Sequence, residues 1–242
     1  MHRIHFIRHG LSEANLSTSL NRRKADHAIE LAPEGHHQAA RAGDALAHHF
    51  DERGDAPGRI RMLISPYRRT RDTALQVISA LARRGYQVEA RESLQLREQS
   101  FGLFDGLTPA ERREIYPREY EHYLKHREFE GEFYAPMPGG ESRARVCDRV
   151  RGVFGSILRD FASQTERPIT DVVCVSHGVT IRCAIMEFMH LPWEWNEEEP
   201  NPHNCSIKTL AGLENQGWHI SNTFGGFPVP DAPEIVQRKA IA

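Results

Sequence analysis

Two short apolar runs in this chain each end in a His-Gly step. Ile4-His5-Phe6-Ile7 leads into Arg8-His9-Gly10, and Val172-Val173-Cys174-Val175 leads into Ser176-His177-Gly178. Each run reads as a buried strand, and each glycine marks an exit where a helix can begin. The same alternation of strand and helix recurs between them. Such a pattern builds a mainly parallel sheet with helices on both faces, so a three-layer α/β/α fold is expected. In an open α/β sheet, ligands bind outside the carboxyl ends of the strands. Both histidines therefore fall on that edge, beside Arg8. Histidine can act as a nucleophile and as a proton carrier near neutral pH. The planar fork of arginine suits a phosphate. Together these residues point to phosphoryl chemistry through a phosphorylated histidine.

The remaining elements follow from periodicity and punctuation. Residues 3–8 form the first strand, and residues 11–30 a polar, basic loop with some helix. An amphipathic helix runs from about 33 to 50, with Ala39, Ala42, Leu46 and Phe50 on its apolar stripe. A turn cluster occupies 54–58, and a second strand occupies 59–65 with Ile60, Met62 and Ile64 alternating. Pro66 opens a helix that Gly85 closes. Strand 87–91 comes next. Short charged helices are expected at about 108–116 and 118–128, and a Pro/Gly loop at 136–140. A long helix follows over 142–162, then strand 172–176, helix 179–190, and strands 206–210 and 217–222. One domain spanning residues 1–242 is expected. Segment 92–140 is expected to be a cap over the sheet edge, and 223–242 a surface tail.

Composition narrows the partners. A chain of 242 residues buries roughly 70–75% of its unfolded surface and needs no staples. A formal net charge of −2 gives no electrostatic reason to expect nucleic acid or an anionic membrane. No apolar run approaches membrane-spanning length, and the start of the chain enters a strand at once. Cys147, Cys174, Cys183 and Cys205 lack C-x-x-C spacing and read as reduced thiols, so a cytoplasmic setting is expected. The fourteen histidines contain no metal-binding signature; His36-His37 and His48-His49 are adjacent pairs that read as helix surface. No metal and no cofactor are expected. Oligomeric state is left open, a homodimer included.

The two His-Gly steps have company. Arg8-His9-Gly10-Leu11-Ser12-Glu13-Ala14-Asn15 is followed by Ser65-Pro66-Tyr67-Arg68-Arg69-Thr70-Arg71-Asp72-Thr73-Ala74. Then come Leu96-Arg97-Glu98-Gln99-Ser100-Phe101-Gly102, Pro138-Gly139-Gly140-Glu141-Ser142 and Val175-Ser176-His177-Gly178-Val179-Thr180-Ile181-Arg182. Together these resemble branch 1 of the histidine phosphatase superfamily, the phosphoglycerate mutase-like proteins. Five separated matches in consistent order over residues 3–210 carry the resemblance.

The resemblance implies a role for each position. His9 would be the nucleophile, its second ring nitrogen donating to a carbonyl. Arg8, Arg69 and His177 would surround the phosphoryl oxygens and stabilise their charge, His177 as a protonated donor. Asn15 would add an amide donor, and Gly178 backbone N–H groups at a helix start. Glu98, before the Phe-Gly step, would be the general acid and then the general base. The arginine pattern selects Arg69, with Thr73 four residues on, and leaves Arg68 and Arg71 to the helix surface or the cap. Glu92 is the weaker candidate for the acid.

The favoured reaction is therefore hydrolysis of a small phosphate monoester. A phosphoglycerate mutase-type transfer is the first alternative, weakened because Gln99-Ser100 stands after Glu98 and because the insert mixes charges. An inactive scaffold of the same fold is the second. An α/β-hydrolase reading is poor, since the chain has no G-x-S-x-G. Arg112, Arg113, Lys125, His126 and Arg127 are either a clamp for a second anion or a solvated face, the second being favoured. Trp193, Trp195, His203 and Asn204 lie near the sheet edge with no role assigned; His2 and His5 read as structural.

Overall fold

The computed structural model describes residues 1–54, 59–163, 168–213 and 217–229 of the chain. Its strands are β1 (Arg3–Arg8), β2 (Arg59–Ile64), β3 (Val88–Glu92), β4 (Ile169–Ser176), β5 (Ile207–Leu213) and β6 (Gly217–Phe224). They form one sheet in the order β3-β2-β4-β1-β5-β6. β1 to β4 are parallel to one another, whereas β5 runs antiparallel to both β1 and β6. The sheet is mixed because β5 and β6 follow one another as a hairpin, while the other strands return through helices. β1 and β4 lie side by side at the centre, with Arg8 opposite Ser176. That register brings both His-Gly steps to the same point of the carboxyl edge.

Strand alternation decides which helix each face receives. Ile4 and Phe6 of β1 join Val172 and Cys174 of β4 on one face, under α6 (Arg143–Ala162) and α7 (Gly178–Met189). Ile7, Val173 and Val175 point the other way, toward α2 (Pro33–Glu52), which follows the one-turn α1 (Glu13–Leu16) in the chain, and α3 (Arg68–Arg83). The apolar stripes inferred from sequence are the buried ones: Ala39, Ala42, Leu46 and Phe50 of α2, and Val146, Val150, Val153 and Ile157 of α6. Each fully buried large side chain contributes about 1.5–3 kcal/mol. The expected α/β/α layers are present.

The insert carries α4 (Pro109–Ile115) and α5 (Pro117–Glu130), close to their expected bounds. Thr108 and Glu111 cap α4 reciprocally, and Phe104, Tyr120, Tyr123 and Ala135 form a small core of their own. β4 begins at Ile169, three residues before the expected start, and α8 (Trp193–Glu198) was not anticipated. Trp195 packs on the main core, while Trp193 lies against Phe133 and Tyr134. β6 runs to Phe224, and Phe227 pairs with Asn204, so the first residues of the expected tail belong to the fold. Turn residues 55–58 and tail residues 230–242 lie outside the described residues. His5 is structural, as read from sequence: its ring bridges Thr209 Oγ1 at 2.8 Å and Asp171 Oδ1 at 2.9 Å.

Candidate active site

Close backbone packing sets the nucleophile's position. A Cβ on Gly10 would lie 2.5 Å from the Gly35 carbonyl oxygen, and one on Gly35 would overlap the Leu11 carbonyl. Two glycines thus let the exit of β1 touch the start of α2. Thr73 Oγ1 accepts the Gly10 N–H at 3.0 Å and donates to the Arg69 carbonyl at 2.7 Å. Asn204 Nδ2 donates to the His9 carbonyl at 3.3 Å. His9 Nδ1 lies 2.8 Å from its neighbour's carbonyl, Gly10 O, so Nδ1 carries the proton and Nε2 keeps a lone pair. Burial together with Arg69 and Arg8 holds the His9 pKa well below its ordinary value, so the ring is neutral.

His177 caps α7, at the end of β4 next to β1. Its ring centroid is 5.3 Å from that of His9 and 5.0 Å from that of Tyr67. His177 Nε2 meets Ser65 Oγ at 2.8 Å, while Nδ1 is buried without a hydrogen-bond partner. Burial and the nearby Arg69 push its pKa well below normal, so the ring is neutral rather than the protonated donor expected from sequence. A neutral ring with Ser65 Oγ–H donating to Nε2 still carries a donor on Nδ1.

Arg8 and Arg69 are nearly inaccessible, at 7% and 5% exposure. Arg8 Nη1 donates to the Pro202 carbonyl at 2.5 Å, and its Nε has no partner. Arg69 stands in the first turn of α3, with Nη1 on the Asp26 carbonyl at 2.7 Å and on Asp26 Oδ1 at 2.8 Å. Arg68 and Arg71 are solvated, paired with Asp72 and Glu92. Asn15 Oδ1 accepts from the Ser12 N–H and from Asn204 Nδ2, so the amide's donor end is not used by either bond.

Glu98 sits on the loop after β3. Its Oε1 accepts the Gln99 N–H at 2.9 Å, and burial raises its pKa above the ordinary carboxylate range. The loop is pinned from three sides. Arg149 donates to the carbonyls of Gln95 at 2.5 Å and Glu98 at 3.1 Å; Thr180 Oγ1 donates to the Arg97 carbonyl at 2.7 Å; Ser176 Oγ donates to the Leu96 carbonyl at 2.8 Å. Glu141 takes the Ser100 N–H at 3.0 Å and Arg149 Nε at 3.0 Å.

A cavity of about 230 Å³ is lined by Arg8, His9, Asn15, Arg69 and Glu98, with Ser12, Asn21, Asp26, Phe101 and Asp105. Five of the residues singled out in the sequence thus share one chamber. The His177 ring stands edge-on to that of His9, and Gly178 packs on Asn201 rather than lining the cavity. His203 is exposed, whereas its neighbour Asn204 supports the site. Sequence reasoning did not find Asp26, Arg149 or Asn21, and it placed Ser65 in a motif without giving it a role. The motif Gly-Gly-Glu-Ser at 139–142 was a pointer to Glu141, without a role. Among the described residues, no three His, Cys, Asp or Glu side chains gather as a metal-holding group.

Comparison with known proteins fits this geometry. The family model of the histidine phosphatase superfamily (branch 1) matches residues 4–223. The phosphoglycerate mutase-like protein AT74 of Arabidopsis thaliana is 33% identical over 213 residues, covering 86% of this chain and 64% of its own length. A probable phosphoglycerate mutase GpmB of Salmonella paratyphi C is 28% identical, with 97% and 98% covered. Among solved structures, a mycobacterial glucosyl-3-phosphoglycerate phosphatase complexed with VO3 is 26% identical, with a TM-score of 0.67 and coverage of 91% and 98%.

Proposed function

Because the chain belongs to the histidine phosphatase superfamily, we propose that it is a phosphomonoesterase acting through a phosphohistidine at His9. The observation that carries this reading is the tautomer of His9: Nδ1 is tied to Gly10 O, and Nε2 is left as nucleophile in a chamber with two buried guanidiniums and a protonatable Glu98. In the first step His9 Nε2 forms a bond to phosphorus as the ester P–O bond breaks. Glu98 gives its proton to the leaving oxygen. In the second step water attacks phosphorus, Glu98 takes the water's proton, and the P–N bond breaks to release phosphate. Arg8 and Arg69 hold the equatorial oxygens in a preorganised, largely dry site, where charge stabilisation is strongest. The unpartnered Nδ1–H of neutral His177 and the amide of Asn15 supply further donors.

Hydrolysis is preferred over mutase transfer because none of Arg112, Arg113, Lys125, His126 and Arg127 lines the phosphate chamber. Lys125 pairs with Glu121 and His126 with Glu130, both on the surface of α5, and Arg113 lies over the Tyr120 ring. A mutase has to hold its organic product with fixed charges while it reorients. The test is a single preparation given a chromogenic phosphate ester, then 3-phosphoglycerate. Brief reaction with labelled substrate should leave acid-labile, base-stable label on the peptide containing His9. His9→Ala should be inactive. Isomer exchange between 2- and 3-phosphoglycerate that outruns phosphate release would overturn the assignment in favour of a mutase.

A further inference from the structure

The phosphate chamber meets a second cavity of about 270 Å³, and Asn21, Phe101 and Asp105 line both. These three side chains form the border between the phosphate chamber and the second cavity. Asn21 Nδ2 donates to Asp105 Oδ1 at 2.9 Å. That bond leaves Asn21 Oδ1 buried with no partner. The junction is held in shape by Arg22, which donates to the Gly106 carbonyl at 3.3 Å and pairs with Glu111.

Two cations lie nearby. Arg69 is held by Asp26 and faces the phosphate position. Arg112, in the second cavity, donates through Nε to the Leu107 carbonyl at 3.0 Å and lies over the Phe104 ring. Between them, the unpartnered Asn21 Oδ1 and the Asp105 carboxylate are the acceptors that both cavities share. A buried acceptor without a donor is costly, so such a place selects ligands that bring donors. Phe101 adds an apolar wall beside them.

Resting on the phosphatase reading, we propose that Asn21 and Asp105 read hydroxyl groups on an uncharged polyol or sugar leaving group, and disfavour a leaving group that carries a carboxylate. Burial and the carboxylate of Asp26 already raise the Asp105 pKa. A further anion beside it adds repulsion of the same sign.

The full chain is assayed with p-nitrophenyl phosphate and with glycerol 3-phosphate, ribose 5-phosphate and glucose 6-phosphate. Propyl, pentyl and hexyl phosphates are the chain-matched controls lacking hydroxyls, and 3-phosphoglycerate is the anionic one. The best polyol phosphate should exceed its alkyl control and 3-phosphoglycerate in kcat/KM by about tenfold or more. Asp105→Asn and Asn21→Ala should each lower the ratio of kcat/KM for that polyol phosphate to kcat/KM for p-nitrophenyl phosphate by about 10–100-fold. Asp105→Asn should also narrow the gap to 3-phosphoglycerate. Equal rates for polyol and alkyl phosphates, or a preference for 3-phosphoglycerate, overturn the subsite while p-nitrophenyl phosphate cleavage leaves the phosphatase reading intact. Failure of the unsubstituted chain to cleave p-nitrophenyl phosphate overturns both. If a variant does not fold, the substrate comparison with the unsubstituted chain decides.

Discussion

Glu98→Gln separates the two proton transfers assigned to one side chain. The amide keeps an oxygen for the Gln99 N–H, which Glu98 Oε1 accepts at 2.9 Å, and it does not touch the bond from Arg149 to the Glu98 carbonyl. The loop should therefore stay in place, and only the proton is lost. General acid–base catalysis contributes about 10²–10⁴-fold, equivalent to roughly 2.7–5.4 kcal/mol of barrier. An alkyl phosphate should lose that whole factor, since its alkoxide leaves poorly without a proton. p-Nitrophenyl phosphate should still phosphorylate His9, because nitrophenolate leaves unaided. Dephosphorylation then stalls, since Glu98 is also the base. A stopped-flow trace should show a burst of nitrophenolate equal to the enzyme concentration, followed by a slow steady state. The pH profile has a matching sign. The raised pKa of Glu98 keeps the acid form to higher pH than an ordinary glutamate, and the lowered pKa of His9 keeps the nucleophile neutral to lower pH. For alkyl phosphates, kcat/KM should fall as pH rises through the Glu98 pKa, and that limb should vanish in Glu98→Gln. Equal losses on alkyl and nitrophenyl esters, with no burst, would refute the argument and make Glu98 a structural carboxylate.

Arg149→Met removes the guanidinium bonds to the Gln95 and Glu98 carbonyls and to Glu141; kcat should fall by about 10²-fold with a smaller change in KM, and an unaltered kcat would show that the loop positions itself. Activity should survive exhaustive chelation, because Arg8 and Arg69 supply the charge neutralisation that a divalent ion provides in other phosphoryl-transfer sites; loss with recovery on one added ion contradicts this. Thermal melts across pH should show stability falling on the acid side. Burial lowers the pKa of His5, so stability declines below about pH 6.5, where the unfolded histidine takes up a proton. Asp171, held by His5 and Arg53 below the ordinary aspartate range, adds a second decline below about pH 4; Asp171→Asn should lose this second limb, and an unchanged profile would sink the linkage.

Much of the architecture was legible without coordinates because it depends on local rules. Alternation in β1 and β4, the stripes of α2 and α6, and the Pro66 to Gly85 punctuation are properties of neighbouring residues, and each element formed within a few residues of its expected bounds. α8 was not legible: Trp193-Glu194-Trp195 after Pro192 looks the same whether it packs under a loop or turns once as a helix. The order of the sheet could be narrowed only to a parallel class. The hairpin of β5 and β6 on the far side of β1 made it mixed.

The candidate site divides the same way. His9, Arg8, Arg69, Asn15 and Glu98 could be named from sequence because motifs at strand exits and helix starts report chemistry by residue type. Charge state could not. His177 reads as a cation by its role, yet burial beside two guanidiniums leaves it neutral, with Ser65 on one nitrogen. Desolvation and long-range charge are sums over the folded surroundings, and no local pattern contains them. The same holds for the meeting of Asn21 with Asp105, which lie 84 positions apart. Sequence by itself determined which groups could do phosphoryl chemistry and which edge would carry them. Only the tertiary structure decided which of them share one chamber, which protons they hold, and which polar groups border the adjoining cavity, because those depend on distances that packing alone sets.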